Sequence, residues 1–271
     1  MSAHRFDRDS SVRRLSDGAF EAELDRAWWI LVGPNGGYLA AILLRAMLET
    51  VGHAERAPRS LTVHYVSPAR EGRVRIAVKV ERSGRSLSTL SARLEQDGAL
   101  IAIALGAFAK PRPSPEFADL HMPEVPPPES LSPLVLPPER SVPMRAQLES
   151  RRTFGGPTLA SSAHALAGGW MRFETPRLAD APFVALLCDA WPPAVAQHRA
   201  LAEGGPRRGM PTVDLTIHFR APVPADAAPE DFYLGVFRSR TLRSGFAEED
   251  GEIWTRRGLL LAQSRQLAMV L

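Results

Sequence analysis

Two octapeptides decide how this chain is built: Leu61-Thr62-Val63-His64-Tyr65-Val66-Ser67-Pro68 and Leu215-Thr216-Ile217-His218-Phe219-Arg220-Ala221-Pro222. Each opens with strict alternation of apolar and polar residues, the period of a strand with one buried face. Each closes on a proline, which has no N–H to give to a sheet ladder. A second correspondence follows downstream, where Gly98-Ala99-Leu100-Ile101-Ala102 lies against Gly258-Leu259-Leu260-Leu261-Ala262. Two matches in the same order read as an internal duplication.

Working outward from the first octapeptide, Gly33-Pro34-Asn35-Gly36-Gly37 leads into Tyr38-Leu39-Ala40-Ala41-Ile42-Leu43-Leu44-Arg45-Ala46-Met47-Leu48. A stretch apolar nearly all round marks a central buried helix, and the glycines let a ligand or a second backbone approach its N-terminus. A hairpin over 13–15 and 20–24, turning at Asp17-Gly18, precedes it. Strands are expected over 60–66, 73–82, 86–96 and 99–109, with Asp97-Gly98 turning the last pair. The second segment repeats the plan, with a helix over 182–190 and strands over 212–220, 232–241, 245–255 and 258–270. Between the copies, residues 111–143 carry so many prolines that they join neither helix nor central strand. The expected organisation is an N-terminal unit over 1–110, a proline-rich connector over 111–143 laid on the surface, and a C-terminal unit over 144–271. An antiparallel sheet wrapped around one apolar helix is the hotdog arrangement. Two in tandem give an α+β double hotdog.

Composition narrows the function. The chain has 271 residues, 45% of them hydrophobic and 23% charged, with a formal net charge of +3, which is ordinary for a globular protein. No run of like charge and no basic–aromatic stripe points to nucleic acid. Cys188 is the one cysteine, so neither an internal disulfide nor a thiolate metal cluster is available. Its apolar run, Val184-Ala185-Leu186-Leu187-Cys188, suits a buried structural thiol. The histidines show no ligand spacing, so no metal and no cofactor are expected. The N-terminal residues lack a signal-peptide core, and no uncharged stretch reaches the ~20 residues of a bilayer span. The expectation is a cytoplasmic protein.

Comparing the copies picks out candidate site residues. The second copy has Asp214 where the first has Ser60, and Gln266 where the first has Gly106. Polar groups gained on core strands are costly unless paired. Ser239 and Thr241 lie two apart on an expected strand and share a face. A carboxylate can deprotonate water, while a hydroxyl and a carboxamide hold that water. Backbone N–H groups at a helix N-terminus, at Gly36 and Gly37, can meet an oxyanion. The plainer reading of Asp214 is an ion pair with Arg220 or Arg243.

These residues carry a resemblance. With Gly36-Gly37-Tyr38-Leu39-Ala40, His64-Tyr65, Pro68, Arg82-Ser83-Gly84-Arg85-Ser86, the segment from Val213 to Arg220 and Leu261-Ala262-Gln263-Ser264-Arg265-Gln266, the chain resembles the TesB-like, type II acyl-CoA thioesterases. The resemblance implies hydrolysis of acyl-CoA by water held between an Asp, a Thr or Ser, and a Gln of the second hotdog. It places the Asp on Asp214 and the Gln on Gln266, and leaves the hydroxyl to Ser239 or Thr241. It also implies a homo-oligomer. Two alternatives stand beside it. One is a non-catalytic acyl-CoA-binding hotdog protein. The other is a hotdog hydratase or dehydratase, which needs an Asp–His pair; Asp214 and His218 sit four apart on a strand, about 13 Å.

Overall fold

Each half of the duplication becomes one half of a single curved sheet. A computed structural model describes residues 3–135, 141–156, 161–201 and 209–271. The first half supplies β1 (Arg13–Ser16), β2 (Ala19–Leu24), β3 (Ala57–Tyr65), β4 (Gly72–Ser83), β5 (Leu87–Gln96) and β6 (Ala99–Ala109). The second supplies β7 (Leu148–Phe154), β8 (Ala165–Phe173), β9 (Thr212–Phe219), β10 (Tyr233–Ser239), β11 (Leu242–Arg243), β12 (Phe246–Thr255) and β13 (Leu260–Met269). Three helices are described: α1 (Arg5–Asp9), α2 (Gly36–Val51) and α3 (Ala181–Leu187). The strand order is β1-β2-β4-β5-β6-β3-β9-β13-β12-β10-β8-β7, with β11 a short side pair on β12. Read from either end, the two halves have the same order. This is the α+β double hotdog.

The halves join at β3 and β9, and the register there exposes the symmetry. Leu61 pairs with Ile217, Thr62 with Thr216 and Val63 with Leu215. Thr62 and Thr216 are also repeat equivalents, so the pseudo-twofold axis passes between them. Their hydroxyls hydrogen-bond across it at 3.0 Å.

Inner faces of the strands pack on the helices. Leu61, Val63, Val74, Ile76, Leu90, Leu94 and Phe108 close over α2, whose Tyr38 to Leu44 are buried without a break. Each such Leu or Ile contributes about 1.5–3 kcal/mol through lost water contact. Asn35 caps the start of α2 by accepting the Tyr38 N–H, and Gly52 ends it in the left-handed conformation at φ 62°, which only glycine adopts freely.

Three features depart from the sequence reading. β7 and β8 lie outside the expected strands; they answer β1 and β2 of the first half and complete the symmetry. The second helix stops at Leu187 rather than running to 190, and Pro192 bars a longer one by keeping Trp191 out of the helical region. The described part of the connector carries no strand. Its Met122, Val125 and Leu131 instead cover Trp170, Phe232, Leu234, Val236 and Trp254 on the outer face. Pro126 O accepts from the Trp170 indole at 2.9 Å. Residues 136–140 of the expected connector lie outside the described residues.

Candidate active site

The early end of α3 drops a carboxylate onto the N-terminus of α2. Asp189 follows α3 by two residues, and its Oδ2 accepts from the Gly37 N–H at 3.1 Å and from Asn35 Nδ2 at 2.9 Å. The same Asn35 amide donates to the Asp189 backbone carbonyl at 2.8 Å. A carboxylate here meets the positive end of the α2 dipole. The glycines are what permit it. A Cβ at Gly36 would lie 2.9 Å from Asp189 Oδ2 and from the Tyr65 hydroxyl; at Gly37 it would lie 2.7 Å from the Leu186 carbonyl. Tyr65 closes the corner by donating to Gly36 O at 2.7 Å.

Facing this corner, the inner surface of the second half-sheet carries a polar chain. The Thr212 hydroxyl donates to Gln266 Oε1 at 3.0 Å, and Gln266 Nε2 donates to Glu249 Oε1 at 2.7 Å. Glu249 Oε2 accepts the Ala194 N–H at 2.5 Å. The strands explain the placement. Gln266 and Glu249 are direct partners on β13 and β12, so both point inward. Thr212 joins them through a bulge. Leu267 pairs with Asp214 but Ala268 pairs with Thr212, leaving Val213 extra. An extra residue re-aims the side chain beyond it, so Thr212 turns to the inner face beside Gln266.

Burial sets the electrostatics. Asp189 is pushed up to about 6, chiefly by burial and against the hydrogen bonds of Gly37, Gly36, Asn35 and Gln266. Glu249 is pushed up to about 7 by burial, against the Ala194 and Gln266 bonds, with the Asp189 charge adding to the rise. Gln266 thus donates to Glu249 and lies near enough to Asp189 to hold its carboxyl down. Tyr65 is held well above its ordinary range by burial, then by the charges of Asp189 and Asp214. Burial lifts the Cys188 thiol to about 12, which removes it as a nucleophile at neutral pH. No group of histidine, cysteine or acidic side chains among the described residues is arranged to hold a metal.

The sequence-derived residues fare differently. Gln266 is buried at the centre of the polar chain. Gly36 and Gly37 lie beside it, and the Gly37 N–H, expected to meet a substrate oxyanion, donates to Asp189. Asp214 lies apart from the polar chain. It pairs with Leu267 and His64, while Gln266 pairs with Leu215. Leu215 faces the core, so Asp214 sits on the outer face, opposite to Gln266. Thr241 lies past the end of β10 and is exposed, with its N–H bound to Glu248 at 2.9 Å. Ser239, the last residue of β10, is buried on the inner face one step from the Arg238–Asp250 pair, which brings it beside Glu249. Its hydroxyl has no hydrogen-bond partner among the described residues. Asp189, Thr212, Glu249, Asn35 and Tyr65 are absent from the sequence-derived set. A readable signal existed for Asp189, the one charge in the apolar run from Pro182 to Trp191.

Residues 25–109 match the model of the acyl-CoA thioesterase N-terminal domain, and residues 125–270 match that of the C-terminal domain. A conserved protein of unknown function with hot dog fold from Alicyclobacillus acidocaldarius is 28% identical, with a TM-score of 0.85 over 100% of this chain and 99% of its own. A protein from Thermobifida fusca provisionally named thioesterase II is 26% identical, with a TM-score of 0.82 over 98% of this chain and 97% of its own. TesB2, an acyl-CoA thioesterase II from Mycobacterium marinum, shares the fold at 20% identity, with a TM-score of 0.78 over 98% of each chain. No curated protein matches the sequence.

Proposed function

The chain belongs to the acyl-CoA thioesterase family, and from that premise we propose that it hydrolyses acyl-CoA to a free fatty acid and CoA at the Asp189–Gln266–Thr212 cluster. The observation that carries this is a carboxylate at the α2 N-terminus facing a hydrogen-bonded carboxamide and hydroxyl. Asp189, raised only to about 6, is ionised at neutral pH and still basic enough to take a proton from water. Thr212 spends its own proton on Gln266 Oε1, so its oxygen lone pairs are free to accept from that water. Gln266 is fixed in turn, because Glu249 demands its Nε2 side. The water attacks the thioester carbonyl, Asp189 takes its proton, and the thiolate departs as the tetrahedral intermediate collapses. Thiolate is a good leaving group, so no covalent enzyme nucleophile is required.

The hydratase alternative loses its support. His64 and His218 are both exposed on the outer face, where neither reaches Asp189.

The test is thiol release from acyl-CoAs of short to long chain, for wild type, Asp189→Asn, Thr212→Val and Gln266→Leu. Release by wild type that Asp189→Asn abolishes in a folded protein supports the reading. Release that survives Asp189→Asn and Gln266→Leu unchanged moves the chemistry elsewhere. No release from any chain length by folded wild type leaves acyl-CoA binding without turnover.

A further inference from the structure

Beside this site lie two arginines without a counter-ion among the described residues. Arg145, in the single turn Pro143–Gln147, lays its guanidinium over the Trp191 ring, 5.7 Å from the centroid. Its Nη1 is shut off from solvent and has no hydrogen-bond partner among the described residues. Burial, then the charge of Arg152, lowers it to about 10; no carboxylate among the described residues offsets them. Arg152 pairs with Gly169 on β8, in line with Ala167 and Met171 of the main core, so its side chain also turns inward. It too has neither ion pair nor hydrogen bond among the described residues. Ser150, two residues back on the same face, is buried and its hydroxyl has no partner among the described residues.

The other arginines of this strand pair are neutralised. On the outer face of the same strand, Arg151 and its neighbour Arg172 both pair with Glu149, at 2.5 and 2.6 Å. An inward cation left without an anion costs several times what a paired one does. Two side by side, with an idle hydroxyl, describe a receptor for an anion.

The location ties it to the chemistry. Trp191 stands two residues after Asp189. From the other side, Met144 donates its N–H to Trp29 O at 3.1 Å, Trp29 bridges to Pro34, and Asn35 follows with its bond to Asp189.

We infer that Arg145 and Arg152, with Ser150, receive an anionic oxygen group of the thioester substrate. This rests on the proposed hydrolase reading and deepens it. The guanidinium fork matches the paired oxygens of a phosphate or a carboxylate. Such a group belongs to the nucleotide end of CoA or to the far end of a dicarboxylic acyl chain.

Four substrates separate the sources: butyryl-CoA, succinyl-CoA, and the N-acetylcysteamine thioesters of the same two acids, which lack the nucleotide. For Arg145→Gln, kcat/KM should fall about ten- to hundredfold on substrates carrying the recognised anion, chiefly through KM. Butyryl-N-acetylcysteamine should change less than about twofold, within the range of a neutral substitution. A fall confined to both CoA thioesters assigns the phosphates, and a fall confined to both succinyl thioesters assigns the carboxylate. An equal fall on all four substrates, or none, overturns the inference. Arg152→Gln repeats the test should Arg145→Gln not fold.

A second measurement separates the two readings. Unreacted CoA and glutarate are titrated against the Tm of wild type and Arg145→Gln. An Arg145-dependent rise with either, in a wild type that releases no thiol, removes the hydrolase and keeps the anion site. No rise with either ligand, together with unchanged kinetics, removes the anion site alone.

Discussion

Replacing Glu249 with glutamine should make the protein more stable above neutral pH and less active throughout. The carboxyl is pushed from 4.5 to about 7 by burial. A folded pKa above the unfolded one means full stability below about 4.5, lost progressively as pH rises through about 7. A shift of that size corresponds to about 3 kcal/mol of cost by pH 8. The substituted amide does not ionise and escapes it. It has one acceptor oxygen for two donors, Ala194 N–H and Gln266 Nε2, so about 1 kcal/mol of hydrogen bonding is lost. The net is a gain of about 2 kcal/mol at pH 8, or roughly 4–5 °C in Tm for a chain of this length. The gain should vanish near pH 5, where the folded carboxyl is already protonated. Gln266 then faces a second amide and turns over, which places its Nε2 toward Thr212 and disrupts the water site. Scanning calorimetry at pH 5 and pH 8 reads the first effect, and thiol release reads the second. A stability difference of equal size at both pH values would refute the reasoning, because it would show that Glu249 does not titrate between them.

Asp189→Asn should lower kcat about 10²–10⁴-fold with the fold retained, the usual worth of a general base, read by thiol release and circular dichroism. In wild type, release should rise with pH through about 6 as Asp189 loses its proton, and the Asn variant should lack that limb. Thr212→Val should cost about tenfold in kcat, one hydrogen bond's worth, without moving the urea midpoint. Gly37→Ala sets a methyl 2.7 Å from the Leu186 carbonyl and should cost about 1–3 kcal/mol in urea unfolding as α2 and α3 are forced apart. Asp214→Asn and Thr241→Ala, neither of whose side chains hydrogen-bonds Asp189, Thr212 or Gln266, should leave release within about twofold.

The architecture was legible because its signal was repetition. The octapeptides around His64 and His218 fall on the two strands that meet at the pseudo-twofold axis, where apolar alternation is strongest. Gln266 was legible for the same reason: its twin is Gly106, and a carboxamide gained on a core strand invites a function. Thr212 was hidden by one residue of backbone. Strict alternation from Leu215 sends Val213 inward and Thr212 outward, and the bulge at Val213 reverses that. The same alternation carries Asp214 to the face of Thr216 and His218, the opposite one from Gln266. Asp189 was hidden because the helix expected over 182–190 includes it. A residue inside a helix is read by its face, whereas one just beyond the end is free to turn toward another element. β7 and β8 escaped because Arg151-Arg152 and Gly168-Gly169 break the apolar period, and only the symmetry of the finished sheet calls for them.

The asymmetry between the halves explains why one site exists and not two. At the place equivalent to the Gln266–Glu249 pair, the first half pairs Gly106 with Leu90. That position is occupied from above: a Cβ on Gly106 would lie 2.8 Å from Met47 Sδ, so α2 reaches over it and fills it with thioether. Counting from the N-caps, Asn35 and Asp180, the counterpart of Met47 is Pro192, and by then α3 has ended. A long helix thus plugs one half with apolar packing, while a short one leaves its half open for carboxylates and a carboxamide. The plugged half also holds α2 rigid, and its N-terminal amides are the ones that grip Asp189. One copy has become the scaffold for the chemistry of the other. Lengthening α3 by replacing Pro192 and Pro193 with alanine should therefore move Asp189 away from Gly37 and suppress thiol release, even as it removes two helix breakers. Retained activity in such a variant, with helicity gained by circular dichroism, would show that the early end of α3 is not what builds the site.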